Sequence, residues 1–273
     1  MAVIDAHAHI FHPRIAPAAV QATTGFYCGV QNGEIPVPVK MDHLPGTAED
    51  LLQQCRKSGI DRCMVFATAT APHQVELVND HIARSAREHP ELIGVGTMHP
   101  AYEDMEGELR RMKELGLVGV KLHPDIQRFD LDDERLWPMF EWMESENFIL
   151  VAHTGDYRYD YSAPRRMARI AKAFPRLRCV AAHFGGWSKW SEARDCLRLD
   201  NVYMDTSSTL SYGAWDAARR AFDTFDPTHI FFGTDYPLWD PAEELQRFLS
   251  LKLGDRLNEM VLGENFENFL AGK

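Results

Sequence analysis

No run in this 273-residue sequence is long and apolar enough to suggest a membrane span. The first residues, MAVIDAHAHIF, lack the basic head and apolar stretch of a signal peptide. None of the five cysteines (Cys28, Cys55, Cys63, Cys179, Cys196) forms a C-x-x-C pair. An odd count in a chain of this size argues against a disulfide framework, so free thiols and a cytoplasmic location are expected. Basic residues are in deficit: 29 Lys and Arg stand against 40 Asp and Glu, a formal net charge of −11. That balance disfavours nucleic acid or an anionic membrane as the partner. It leaves a small-molecule substrate open, because local charge in a pocket can oppose the global sign. Also missing are a 20–50-residue repeat, a low-complexity segment and a convincing linker.

What the sequence does have is a regular alternation. Short apolar or β-branched runs cover Val3–Ile10, Arg62–Ala67, Ile93–Met98, Val118–Leu122, Phe148–His153, Arg178–His183, Val202–Asp205 and His229–Phe232. Amphipathic, charged segments follow them, predicting helices over Ala48–Lys57, His73–Glu88, Asp104–Leu115, Asp132–Ser145, Ala163–Phe174, Lys189–Leu197, Gly213–Phe222, Ala242–Leu251, Arg256–Met260 and Glu264–Leu270. Eight strand–helix units in about 250 residues match an α/β (β/α)8 barrel. The rival, a doubly wound open sheet, usually carries a Gly-rich nucleotide loop after its first strand, where this chain has DAHAHIFHP. One domain over 1–273 is expected. The Pro- and Gly-rich stretch at about 11–46 reads as an irregular insertion, a lid or specificity loop at the barrel mouth, or else a dimer contact.

In such a barrel the C-terminal strand ends converge on one mouth. Here nearly every strand ends in imidazole, carboxylate or ammonium: His7 and His9, His99, Lys121 and His123, His153, His183, Asp205, and Asp235. Residues i and i+2 of a strand share a face, so His7 and His9 can grip one ion. The competing reading is a pair of buried, hydrogen-bonded histidines. His153 supplies a third nitrogen. Asp235, on the strand that closes against the first, binds the ion, takes a proton from water on it, or does both. Such a set with an open position suits one Zn2+, with Mn2+, Fe2+ or Co2+ as alternatives. His183 reads as an acid/base beside the ion, against a fourth ligand or an orienting residue.

With these residues in place, the chain resembles the amidohydrolase superfamily, in its amidohydrolase-related branch that includes aminocarboxymuconate-semialdehyde decarboxylase and several lactonases. The resemblance runs from IDAHAHI through GVKLHP, VAHTG, AAHFGG and GTDYP to GENFENFL. It implies a distorted barrel, one divalent metal, a homodimer, and the roles just given for His7, His9, His153, His183 and Asp235. It leaves Lys121 as a charge partner for substrate, or as a carboxylated bridge between two metals. His123 and His99 are candidates for the pocket wall, against structural histidines. Arg158 is a candidate for binding a carboxylate. Trp187 is a candidate aromatic wall, with Trp190, Tyr157, Tyr159 and Tyr161, against plain packing. Arg165 and Arg166 are further candidates for binding a carboxylate, against the commoner reading of a solvated helix face, and Met139, Phe140 and Trp142 read as core.

The first expectation for function is a hydrolase acting on an ester, lactone or amide of a small carboxylated substrate. A nonoxidative decarboxylase with the same site is the alternative, and a noncatalytic binding barrel is the third. Decarboxylases of this branch often carry Glu-x-His at the first strand. The intact His7-x-His9 therefore tips the reading towards hydrolysis, although the branch's prototype decarboxylase keeps it too.

Overall fold

An isolated apolar run leaves its backbone amides and carbonyls unpaired, and here successive runs satisfy one another as parallel strands with helices between them. The computed structural model describes residues 2–31, 34–35 and 44–272. Among these the strands are β1 Ile4–His9, β2 Arg62–Phe66, β3 Leu92–Gly94, β4 Gly96–Thr97, β5 Gly119–Leu122, β6 Ile149–Ala152, β7 Cys179–Ala181, β8 Val202–Asp205 and β9 Ile230–Phe231. The helices are α1 Ala16–Tyr27, α2 Ala48–Ser58, α3 Val75–Glu88, α4 Met105–Glu114, α5 Pro124–Gln127, α6 Trp137–Ser145, α7 Pro164–Ala173, α8 Trp190–Cys196, α9 Trp215–Thr224, α10 Pro241–Leu249, α11 Asp255–Glu259 and α12 Asn265–Leu270. All eight expected strands are present, the third broken at Val95 into β3 and β4. The chain forms two compact units, residues 66–204 and residues 1–65 with 205–273.

In the unit of residues 66–204, β4 to β8 pair in parallel, with Gly96 opposite Val120, Val120 opposite Leu150, Val151 opposite Val180 and Ala181 opposite Met204. β5, β6 and β7 are buried along their whole length, as strands covered on both faces should be. α7 turns Met167, Ala168, Ile170 and Ala171 inward, and its outward Arg165 and Arg166 pair with Asp160 and Asp132. Buried Asn79 clips β4: its side chain takes the Thr97 amide at 2.7 Å and gives a hydrogen bond to Glu108 at 2.6 Å. Two glycine-rich turns meet without side chains. Gly155 has φ +77°, and a Cβ there would stand 2.7 Å from the Gly186 backbone. Gly155→Ala should therefore cost about 2–4 kcal/mol, the sum of a left-handed backbone and overpacking. Urea unfolding measures it, and a loss under 1 kcal/mol would show that the turn relaxes.

In the other unit the last strand of the chain lies beside the first. Ala6 donates to the Phe232 carbonyl at 2.8 Å, Asp235 to His7 at 2.8 Å and His9 to Tyr236 at 2.7 Å. Buried Asp5 reinforces the seam, accepting from the amides of His7 (2.9 Å) and Thr234 (3.0 Å) and from the Thr234 hydroxyl (2.6 Å). Gly233 permits this close approach, since a Cβ on it would stand 2.9 Å from His7 Cβ. The closing GENFENFL packs Phe266 and Phe269 on Phe231, at 5.2 and 5.1 Å between rings.

The expectation of an irregular 11–46 is corrected in part: Ala16–Tyr27 is helical, with Val20, Thr24 and Tyr27 buried at helical spacing. Its Pro17 lies in the first turn, where a missing N–H costs nothing. Residues 32–33 and 36–43 of that stretch lie outside the described residues, and the lid assignment rests partly on them. No described helix is long and apolar enough to cross a membrane.

Glu244 is buried in α10, accepting from Ser211 and from Arg247 Nη1 at 2.5 Å. Burial pushes its carboxyl up to about 7, against the pull of both partners. The folded protein holds that proton to about pH 7, whereas a solvated glutamate releases it near 4.5. Stability should fall as pH rises through that window. Glu244→Gln should flatten the melting profile between pH 5 and 7, and an identical decline in both proteins would assign it to another group.

Candidate metal centre and active site

The β-strand alternation that puts His7 and His9 on one face is realised at the end of β1. Both imidazoles turn Nε2 towards Asp235 Oδ1, at 3.5 Å from His7 and 3.4 Å from His9. These separations are too long for strong hydrogen bonds. They fit ligands sharing an ion: donors 2.0–2.2 Å from a four-coordinate centre stand about 3.3–3.6 Å apart. His7, His9 and Asp235 offer ligand atoms within 4.8 Å of one another. His7 and Asp235 are buried, and His9 is the more open imidazole. Two neutral nitrogens and one carboxylate make a donor set for a borderline divalent cation.

The surroundings fix the orientation of each donor. His7 Nδ1 is 2.8 Å from Asp205 Oδ2, with both side chains buried, which commits Nδ1 and leaves Nε2 facing Asp235 Oδ1. Asp205 is itself held through Oδ1 by the Ser207 hydroxyl and amide. Asp235 accepts from the Ser208 hydroxyl through Oδ2, so Oδ1 is the oxygen that faces the imidazoles. Asp235 has φ +61° and Ser208 φ +57°, left-handed values that L residues adopt only where the surroundings compel them. Asp205 stood out in the sequence only as a strand-end carboxylate, and Ser208 not at all. A sequence-level signal existed for Asp205, because metal-binding histidines take a carboxylate on the other nitrogen.

The remaining candidates lie in the unit of residues 66–204. His153 directly follows β6, and its Nδ1 is 3.0 Å from His183 Nε2. The His153 ring stacks on His123, 4.2 Å between centroids and 7° from parallel, and its Nε2 lies 3.7 Å from Asp125 Oδ2. Asp125 also accepts from the Ser162 hydroxyl at 2.5 Å, and burial pushes its carboxyl up to about 7. His183 is two residues beyond β7, not in the strand as the sequence suggested. It has φ +60°, with Phe184 at +50° and Gly185 at +75°, and Trp190 Nε1 donates to its carbonyl at 2.9 Å.

His123 caps α5 through Nδ1, and His99 accepts the Ala101 amide at 3.2 Å in the turn after β4. Lys121 is buried in β5 with Nζ 4.5 Å over the Phe66 ring, a cation–π contact. Arg158 forks onto Asp156 (3.0 and 2.7 Å) and lies over the rings of Tyr159 and Trp187. Its charge is therefore already matched, which weakens it as a carboxylate receptor. Trp187 is buried 6.0 Å from His153, while Tyr157 and Tyr159 are exposed. Met139 and Phe140 are core.

The family model described as Amidohydrolase matches residues 4–270. The chain belongs to the amidohydrolase family. A curated relative, 2-amino-3-carboxymuconate-6-semialdehyde decarboxylase of Dictyostelium discoideum, is 36% identical over 81 residues, 29% of this chain and 23% of that protein. The matched segment thus spans about a quarter of the relative's length. An uncharacterised TIM-barrel protein from Bordetella bronchiseptica superposes with a TM-score of 0.79 at 19% identity, over 100% of this chain and 99% of that one. A dihydroxybenzoic acid decarboxylase from a Polaromonas species, with bound manganese and 2-nitroresorcinol, gives 0.72 at 14%, over 99% and 97%. A probable 2-pyrone-4,6-dicarboxylic acid hydrolase from Acinetobacter baumannii, with citric acid bound, gives 0.69 at 14%, over 99% and 100%. The fold is the (β/α)8 barrel of this amidohydrolase family.

Proposed function

We propose that the protein is a metal-dependent nonoxidative decarboxylase of a small aromatic or conjugated carboxylic acid. The observation that carries the metal is the pair of Nε2 atoms on His7 and His9 converging on Asp235 Oδ1. The preference for decarboxylation comes from the relatives: the curated one and the manganese-containing neighbour are both decarboxylases. The intact His7-x-His9 does not separate the two chemistries, because the same donors serve both. When bound, a divalent ion supplies a Lewis acid that anchors an oxygen of the substrate beside the scissile bond. Zn2+ and Mn2+ both suit the donors.

In this reading His7, His9 and Asp235 hold the ion, with His153 as a fourth ligand. Loss of CO2 leaves an electron pair on the substrate carbon, and a proton must be delivered to that carbon. His183 is assigned that proton, imidazole being the side chain most often used as a positioned acid or base. Lys121, His123, His99, Arg158 and Trp187 remain the proposed substrate contacts, with Arg158 weakened by its pairing to Asp156. Hydrolysis is the second reading, supported by the likeness to a pyrone-dicarboxylate hydrolase.

A panel of aromatic and dienoic acids, lactones and amides, scored for both CO2 evolution and acid release, separates the two. CO2 from an aromatic or dienoic acid, with no lactone or amide cleaved, is the expected result. Acid release without CO2 would replace decarboxylation by hydrolysis. Elemental analysis should find about one divalent ion per chain for a mononuclear site.

A further inference from the structure

We propose that Trp239 and Ser208 are positioning residues that fix which oxygen of Asp235 is presented to the metal; this rests on the metal-binding reading above. The argument is one of proton counting. Trp239 Nε1 carries a hydrogen and can only donate, and it lies 2.8 Å from Ser208 Oγ. Ser208 therefore accepts from the indole, and its single proton goes to its other neighbour, Asp235 Oδ2. The direction Trp239 to Ser208 to Asp235 is forced, and Oδ2 is held as an acceptor. Oδ1 is left facing His7 and His9 at 3.5 and 3.4 Å.

The relay is rigid at every step. Trp239, Ser208 and Asp235 are all buried. Tyr212 packs edge-on against the Trp239 ring, at 5.4 Å and 83°. Leu238 donates to the Asp235 carbonyl at 3.0 Å, which closes the turn carrying Trp239 back over the carboxylate four residues before it. Trp239 is thus part of the same short segment as the ligand it serves, and Ser208 joins it from the loop after β8.

The test is Zn2+ affinity by chelator competition, with thermal melts of the metal-free protein. Ser208→Ala, which removes one oxygen, should weaken Zn2+ binding about 10–100-fold, as loss of an outer-shell orienting group does. The metal-free variant should still melt cooperatively, at a somewhat lower temperature because the buried Trp239 N–H loses its acceptor. Trp239→Phe should weaken binding similarly, and the double variant should be no worse than Ser208→Ala, because the two act through one hydrogen bond. Wild-type affinity in Ser208→Ala, or additive losses in the double variant, would overturn the relay while leaving the metal site standing. A wild-type protein that binds no Zn2+ and no Mn2+ would overturn both.

Discussion

Asp235→Asn should lower turnover about 10³-fold or more while the protein still folds, and should weaken divalent-metal binding with it. An asparagine has one acceptor oxygen where the site uses two. In the native arrangement Oδ2 receives the Ser208 hydroxyl and Oδ1 faces the Nε2 atoms of His7 and His9. If the amide oxygen stays with Ser208, the NH2 group points at the two imidazole nitrogens and repels a cation there. If the amide flips, the NH2 group meets Ser208, whose oxygen already takes the Trp239 N–H. Neither rotamer rebuilds the site. The charge is lost in both, so a weaker neutral donor remains for the ion. The backbone is unaffected, because asparagine tolerates the left-handed φ of +61° at this position better than most residues. Steady-state turnover, elemental analysis and a thermal melt check the three parts. Near-normal turnover with full metal content would remove Asp235 from the chemistry. Lost turnover with an unfolded chain would make its role structural.

Much of this site was legible in the sequence because strand alternation is a strict rule. His7 and His9, two residues apart in an apolar run, had to share a face. The pairing of first and last strands followed from the count of eight units, and the structure supplies it through Asp235 N to His7 O. The oxygen that Asp235 turns to the imidazoles was not legible. It depends on Ser208 and Trp239, whose roles exist only once a hydroxyl, an indole and a carboxylate meet in space. Asp205 illustrates the same limit. It lies 198 residues from His7, and no local pattern says which imidazole it will orient. α1 was missed for a different reason. It lies in a stretch rich in proline and glycine, which reads as irregular, although its one proline, Pro17, stands in the first turn where it is tolerated. The bond that is broken was least legible, because a Lewis acid, a carboxylate and an imidazole serve C–C and C–O cleavage alike.

Replacing His183 tests the other half of the proposed chemistry, and the local backbone makes it a clean change. His183, Phe184 and Gly185 form a left-handed turn, and the His183 carbonyl is held by the Trp190 indole at 2.9 Å. These constraints act on the main chain, so His183→Asn should keep the turn, asparagine being well suited to φ near +60°. What it loses is a group that can carry a proton near neutral pH. Turnover should fall about 10²–10⁴-fold, the usual contribution of a positioned acid or base. Metal content should stay near one ion per chain if His183 is not a ligand. The contact with His153 sharpens the comparison. His183 Nε2 lies 3.0 Å from His153 Nδ1, so one of the two nitrogens carries the shared hydrogen. An asparagine amide can supply such a hydrogen but cannot pass it on, which separates orientation of His153 from proton transfer. Retained metal with lost turnover therefore assigns His183 the proton. Metal lost together with turnover assigns it to the ligand set instead. Retained turnover transfers the proton to Asp235, the other titratable group proposed for the reaction.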